Sequence, residues 1–298
     1  MKFVIATHIG FWERDGGLNC LLQLAKMLND RGQDVKLRVP PGEKQGYERN
    51  KIYPHYFEGD SVDEDCIAIY IDCTLGNPLK AKKVVRYLAY GSHYYPNYDP
   101  NEIIYYHAPF CKNNPAKQRL MPTYWPEDLE NKGLERINQS CFITKKGDRY
   151  RDVQEILANK DNLSKIGIDL QYKSHDELIH TFNTTKYFYC YDPCSFLVII
   201  ALMCGCIVIQ HPFLGLTADE WKYSISLESL DGIAYGYENL EHAEATISNA
   251  RNTCLKFKQK SESSVDNFIK DMETGNYTIE PCYPFNDSPF SFQHRNKY

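Results

Sequence analysis

Several features that mark common protein classes are missing from this chain of 298 residues. No uninterrupted apolar stretch reaches the roughly 20 residues that a membrane-crossing helix needs, which excludes an ordinary helical membrane protein. Positive charge is not in excess. The 34 Lys and Arg stand against 39 Asp and Glu, a net charge of −5, which argues against a nucleic-acid binder built on a basic patch. The spacing G-x-G-x-x-G is absent, so a Rossmann-type oxidoreductase is disfavoured. No Cys pair or His pair has zinc-ligand spacing, and Cys204 and Cys206 sit too close together at a helix–strand junction to form one. No repeat of solenoid period is present. The first residues, MKFVIATHIG, carry too short an apolar run for the core of a signal peptide and read as a buried first strand. The 11 Cys are odd in number, and Cys141, Cys190, Cys204 and Cys206 lie inside apolar runs. They read as reduced core residues of a cytoplasmic protein.

The residues that are present alternate between β and α patterns. Lys2 to Thr7 predicts a strand, the loop HIGFWERDGG follows, and apolar spacing from Leu18 to Leu28 predicts a helix ending at Asp30. Strands are expected at Val35–Val39, Cys66–Asp72 and Glu102–His107, whereas Ala81 to Ala89 reads as a basic amphipathic segment. Gly16 and Gly17, at the first helix entrance, either let a ligand approach the backbone or make a plain tight turn. His93 and His107 fall just past element ends, a position that suits a cleft and suits an ordinary surface or core histidine as well.

From Lys112 to Asn138 the sequence is rich in Pro, Asn and charge, which marks a domain boundary. The expected organisation is a first Rossmann-like domain over 1–137, a second over 138–272, and an extended C-terminal strap over 273–298. The second half restarts the pattern with a strand at Ser140–Thr144 and a basic loop. In that loop Lys145, Lys146, Arg149 and Arg151 either neutralise a phosphate or form a solvated turn. Ser174 with Glu177 three residues on is a capping box for a helix running to about Asn183.

The stretch YDPCSFLVIIALMCGCIVIQHP, from Tyr191 to Pro212, organises this half. A polar turn at Tyr191, Asp192 and Pro193 leads to an all-round apolar, hence buried, helix from about Ser195 to Cys204. Gly205 stops it, and a strand follows at Cys206–Ile209. A buried helix entered through Asp-Pro-Cys-Ser aims amides and a positive dipole end outward, where an anion fits. It is equally read as a capped core helix. A short helix at ADEW and a long polar helix from about Leu240 to Lys260 or Met272 complete the list.

This pattern resembles retaining nucleotide-sugar glycosyltransferases of the GT-B fold. The N-terminal stretch DGGLNCLLQLAKMLNDRGQDVKL resembles their glycine-pair loop and first helix, with Gln33 where a histidine is common. The C-terminal stretch HDELIHTFNTTKYFYCYDPCSFLVIIALMCGCIVI resembles their donor-binding segment, and YDPCSF, ALMCGC and DGIAYGYENLEHAEAT resemble bacterial and viral polysaccharide and rhamnosyltransferase-like members. The resemblance implies two Rossmann-like parallel-sheet domains facing across a cleft, the first on the acceptor side and the second binding the nucleotide sugar. It also implies a transferase that moves a hexosyl or deoxyhexosyl group from a nucleoside-diphosphate sugar to a glycan or glycoprotein acceptor, without cofactor, metal or nucleic acid. Carried over by position, Asp192 stands near the donor sugar as a catalytic residue, with His93 (or His8) at the sugar hydroxyls. Gly16, Gly17, Lys145, Lys146, Cys194, Ser195 and Phe196 hold the phosphates, and Tyr172, Lys173, Ser174 and Tyr191 border the nucleotide. Ile200 replaces a glutamate that binds ribose hydroxyls. It offers no acceptor, so ribose recognition falls to another residue, or the donor is a deoxyribose nucleotide, or donor binding is impaired, as in a degenerate, non-catalytic binder. A retaining transferase needs no paired catalytic carboxylates, and none is evident. One rival is a metal-dependent transferase using Asp63-Glu64-Asp65 as a D-x-D site. That triplet also reads as a solvated acidic loop.

Overall fold

The structure is a computed structural model that describes residues 1–12, 15–89, 99–107, 118–126, 128–145, 153–154, 167–213 and 216–279. It divides into two compact units. The first is Met1–Tyr124 together with the segment that begins at Lys258, and the second is Trp125–Phe257. The break lies within the Pro- and Asn-rich stretch, ahead of position 137, and the end of the last helix counts with the first unit.

In the first unit, β1 (Lys2–Ala6), α1 (Gly16–Asp30), β2 (Asp34–Arg38), α2 (Lys44–Tyr47), β3 (Tyr56–Phe57), β4 (Cys66–Ile71), β5 (Lys83–Leu88) and β6 (Ile103–Tyr106) follow in order. The strands form one sheet in the order β3-β2-β1-β4-β5-β6, every pair parallel. All six residues of β4 are buried. Ile67, Ile69 and Ile71 enter one core cluster, while Cys66, Ala68 and Tyr70 enter another, as a parallel strand covered on both faces requires. Helix α1 lays Leu18, Leu21, Leu22, Ala25 and Leu28 into the first of these clusters.

The segment expected to be amphipathic, Ala81–Ala89, is instead the interior strand β5. Its Arg86 is fully buried because Glu102 meets it with two hydrogen bonds, Nε to Oε2 at 2.8 Å and Nη2 to Oε1 at 2.7 Å. A charge paired this closely is tolerated inside a strand that otherwise reads as half-exposed.

In the second unit, β7 (Asn138–Ile143), β8 (Ile168–Asp169), α3 (His175–Thr184), β9 (Thr185–Cys190), α4 (Leu197–Met203), β10 (Ile207–Gln210), α5 (Ala218–Ser224) and β11 (Ile233–Tyr235) follow in order. Helix α6 (Leu240–Thr274) begins here. The sheet order is β11-β10-β9-β7-β8, again wholly parallel. At the opposite edge from the strand ends that follow below, Arg136 ties two helix ends together. It donates to the carbonyls of Phe182, Thr185 (3.0 Å) and Cys204 (2.6 Å). Gly205, at φ +74°, turns the chain from α4 toward β10.

The C-terminal turns of α6 belong to the first unit's core. Phe268 packs on Phe3 at 5.7 Å and edge-on against Tyr105 at 4.9 Å. Arg31, just past α1, holds Glu262 at 2.7 Å and Asp266 at 2.6 Å. Among the described residues no helix is long and apolar enough to cross a membrane.

Candidate functional site

Open parallel sheets bind ligands beyond the carboxyl ends of their strands, where the strand order reverses. In the second unit that reversal lies between β7 and β9. Ile143 pairs with Cys190, and the N–H of Tyr191 donates to the Ile143 carbonyl at 2.9 Å. Thr144-Lys145 and Tyr191-Asp192 therefore leave the sheet side by side, with Lys145 exposed. Lys146, Arg149 and Arg151 lie outside the described residues.

The turn from β9 to α4 is held from three directions. Asp192, 1% exposed, accepts the Cys194 N–H at 3.0 Å through Oδ1. Ser195 Oγ accepts the Leu197 N–H at 3.2 Å. The fully buried Trp221, on α5, donates Nε1–H to the Pro193 carbonyl at 2.8 Å. Gln210, at the end of β10 and fully buried, points Nε2 at the carbonyls of Cys190 (3.1 Å), Asp192 (3.3 Å) and His211 (3.3 Å).

These contacts revise part of the expected site. The helix opens at Leu197 rather than Ser195: Asp192 spends its side chain on the Cys194 N–H in the turn, and Ser195 spends its own on the N–H of Leu197, the first helical residue. Asp192 is buried and shapes the turn through this hydrogen bond. The Cys194 N–H is used inside the protein and is not offered outward. Phe196 turns its ring edge-on to Trp125 at 5.9 Å, inside the unit. Tyr191 is 8% exposed and packs on His211 at 5.6 Å. Burial pushes its phenol up to about 12, so it stays neutral. Tyr172 is 85% exposed, past the end of β8 and so on the same sheet edge as Lys145. Lys173 is half-buried beside it, and Ser174 is occupied as the α3 cap, its Oγ accepting the Glu177 N–H at 3.3 Å. Ile200 is buried within α4.

The first unit has its own reversal, between β1 and β4. His8 follows β1 and Asp72 follows β4. Burial lowers the pKa of His8, and the carboxylates of Asp15 and Asp72 act against that shift. Among the described residues its Nδ1 is buried without a hydrogen-bond partner. Gly16 and Gly17 open α1. A Cβ at Gly17 would stand 3.1 Å from Ile71 Cδ1, so this glycine lets the helix end approach β4 closely. The same helix end is already capped by a carboxylate, since Asp15 Oδ1 accepts the Leu18 N–H at 2.7 Å. His93 lies outside the described residues. His107 meets the Tyr87 hydroxyl through Nδ1 at 2.6 Å.

The acidic triplet sits at the amino edge of this sheet, just before β4, away from the carboxyl-end reversal. Lys2 holds Asp63 at 3.5 Å and Asp65 at 3.0 Å, and Lys82 holds Glu64. Asp63, Asp65 and Cys66 are close enough to share a cation, yet the carboxylates already have ammonium partners.

Sequence reasoning passed over Gln210 and Trp221, which together fix the β9–α4 turn. A glutamine closing a β-branched strand, and a tryptophan inside a capped helix, carry no local sign of a partner some twenty residues back in the chain.

No protein-family model matches the chain, and no curated protein matches it by sequence. Solved structures do. Anabaena HepE in complex with UDP and glucose superposes with a TM-score of 0.50 at 12% identity, over 92% of this chain and 100% of that one. An alpha-glucosyltransferase in complex with UDP gives 0.48 at 11%, over 92% and 99%. The spinosyn rhamnosyltransferase SpnG complexed with thymidine diphosphate gives 0.40 at 10%, over 92% and 96%. The likeness to HepE, with both sheets wholly parallel, shows the fold: this chain is built as two parallel α/β units in the manner of the GT-B glycosyltransferases.

Proposed function

We propose that the protein is a glycosyltransferase that takes a hexosyl or deoxyhexosyl group from a nucleoside-diphosphate sugar and passes it to an acceptor hydroxyl with retention, without a metal. The observation that carries this reading is the placement of the exposed Lys145 beside the β9–α4 turn, at the strand-order reversal of the second unit. A fold in which such sites hold nucleotides supports it. The likeness to HepE, whose structure contains UDP and glucose, supports it as well.

The chemistry follows from charge. As the bond from the anomeric carbon to the phosphate oxygen breaks, negative charge gathers on the diphosphate. The Lys145 ammonium stabilises it more in the transition state than in the bound donor. The acceptor oxygen then bonds to the anomeric carbon, and its proton goes to the departing phosphate. Asp192, Gln210 and Trp221 keep the turn in place during this step. Tyr172 and Lys173 border the base.

A thermal-shift screen with UDP, GDP and dTDP tests the donor class, because a ligand bound by the native state alone raises the melting temperature. One of the three raises it, and Lys145→Ala weakens that nucleotide about tenfold. Donor turnover persists in chelator. Failure of all three nucleotides to bind overturns the proposal. The buried Ile200 favours a second reading, a sugar-nucleotide binder without transfer. Nucleotide binding with no donor hydrolysis or transfer decides for it.

A further inference from the structure

Resting on the transferase reading above, we infer that His211 determines which donor sugar is accepted. Its imidazole hydrogen-bonds a hydroxyl of the hexosyl group, on the β10 side of the β9–α4 turn.

The strands of the second sheet end in register. Ile143, Cys190, Gln210 and Tyr235 stand in one row across β7, β9, β10 and β11. One residue further along each strand come Thr144, Tyr191, His211 and Gly236. Thr144 and Tyr191 are buried and Gly236 has no side chain, so the half-buried His211 is the member of this row whose polar side chain reaches solvent. Lys145 leaves β7 two strands away, a separation of about 10 Å. Tyr172 lies past β8, on the opposite side of β7. A donor whose base meets Tyr172 and whose diphosphate meets Lys145 has β9 and then β10 ahead of it, and its sugar comes to His211.

His211 is held from several directions. Its N–H donates to the Cys190 carbonyl at 2.9 Å, and its own carbonyl accepts from Gln210 Nε2 at 3.3 Å. The ring packs on Tyr191 at 5.6 Å and stands edge-on to Phe213 at 5.3 Å. The loop beyond is stapled to β11, where the Tyr235 hydroxyl accepts the Phe213 N–H at 3.0 Å and donates to the Leu216 carbonyl at 3.1 Å. Backbone and ring are thus set before a ligand arrives, which lowers the cost of ordering them on binding. A neutral imidazole carries one donor and one acceptor, and a protonated one carries two donors. A sugar hydroxyl both donates and accepts, so it pairs with either form. A site built to hydrogen-bond a hydroxyl also rejects the sugar that lacks it.

The test is calorimetric titration of the full chain with UDP, GDP and dTDP, and with UDP-glucose, GDP-mannose and dTDP-glucose. The readout is the Kd of a sugar nucleotide divided by that of its bare nucleotide. His211→Phe keeps the ring packing and removes both nitrogens. It raises the ratio about tenfold and leaves the bare nucleotide within about twofold of wild type. His211→Ala does the same, and His211→Asn, which retains a donor and an acceptor, recovers part of the loss. The ratio is internal to each variant, so a loss of stability that affects both ligands cancels. An unchanged ratio in the Phe and Ala variants, or a bare-nucleotide affinity that falls as far as that of the sugar nucleotide, overturns this inference and leaves the transferase reading standing. So does a wild type that binds a nucleotide and none of the sugar nucleotides. A wild type that binds no nucleotide overturns the transferase reading itself, and this inference with it.

Discussion

Trp221 donates its indole N–H to the Pro193 carbonyl at 2.8 Å, from a helix that begins at Ala218 to a turn that precedes another at Leu197. Replacement by Phe keeps most of the buried ring and removes the donor. The bare carbonyl costs about 1–2 kcal/mol, read as a lower urea midpoint with unchanged slope. Because that turn neighbours Lys145, nucleotide affinity falls as well. Unchanged nucleotide affinity at reduced stability would detach the turn from the donor site.

Arg86 and Glu102 form the deepest ion pair among the described residues, at 0% and 4% side-chain exposure. Arg86 also donates to the carbonyls of Thr74 and Gly76. Arg86→Met or Glu102→Gln alone leaves a buried group without its partner and costs about 3–5 kcal/mol. The double variant Arg86→Met/Glu102→Met costs less than the sum, since neither charge remains. Additive losses in denaturant melts would show that the two residues act independently.

Gly205 combines a φ of +74° with close neighbours. An added Cβ would stand 2.5 Å from Asn131 Nδ2 and 2.9 Å from Arg136 Nη2. Gly205→Ala is therefore expected to cost at least about 2 kcal/mol, from the left-handed backbone and the displaced guanidinium. A melting temperature within a degree of wild type would refute this.

How much of this was legible depends on how far apart the cooperating residues lie. Ser174 and Glu177 are neighbours on one helical turn, so their capping box was readable and is present. The spacing of Leu18, Leu21, Leu22, Ala25 and Leu28 likewise announced α1. Arg86 defeated the same reasoning, because the residue that makes its burial tolerable is Glu102, just ahead of the next strand. The adjacency of β7 and β9, which places Lys145 beside Tyr191, arises from non-local pairing that no window of sequence contains. Asp192 and Ser195 were ambiguous for a different reason. Asp and Ser ahead of a helix suit both anion sites and self-contained turns, and here both side chains close the turn on itself.

The pH response of the first unit follows from His8. Its pKa is lowered in the native state by burial, with Asp15 and Asp72 opposing. As the pH falls below about 6.5, the unfolded chain takes up a proton that native His8 resists. Native stability therefore declines across that range and is unaffected above it. His8→Gln removes this component, so the gap between variant and wild-type melting temperatures shifts in the variant's favour from pH 7.5 to pH 5. A gap independent of pH would contradict the burial of this imidazole.

Val265, Phe268 and Met272 sit in the same core cluster as Phe3, Leu21 and Ile69, although the whole second unit is threaded between them along the chain. On the ribosome, the earliest-made sheet must wait for the final helical turns before its apolar interior can close. A protein cut after Phe257 would thus lose its beginning along with its end, leaving the N-terminal portion with an open seam.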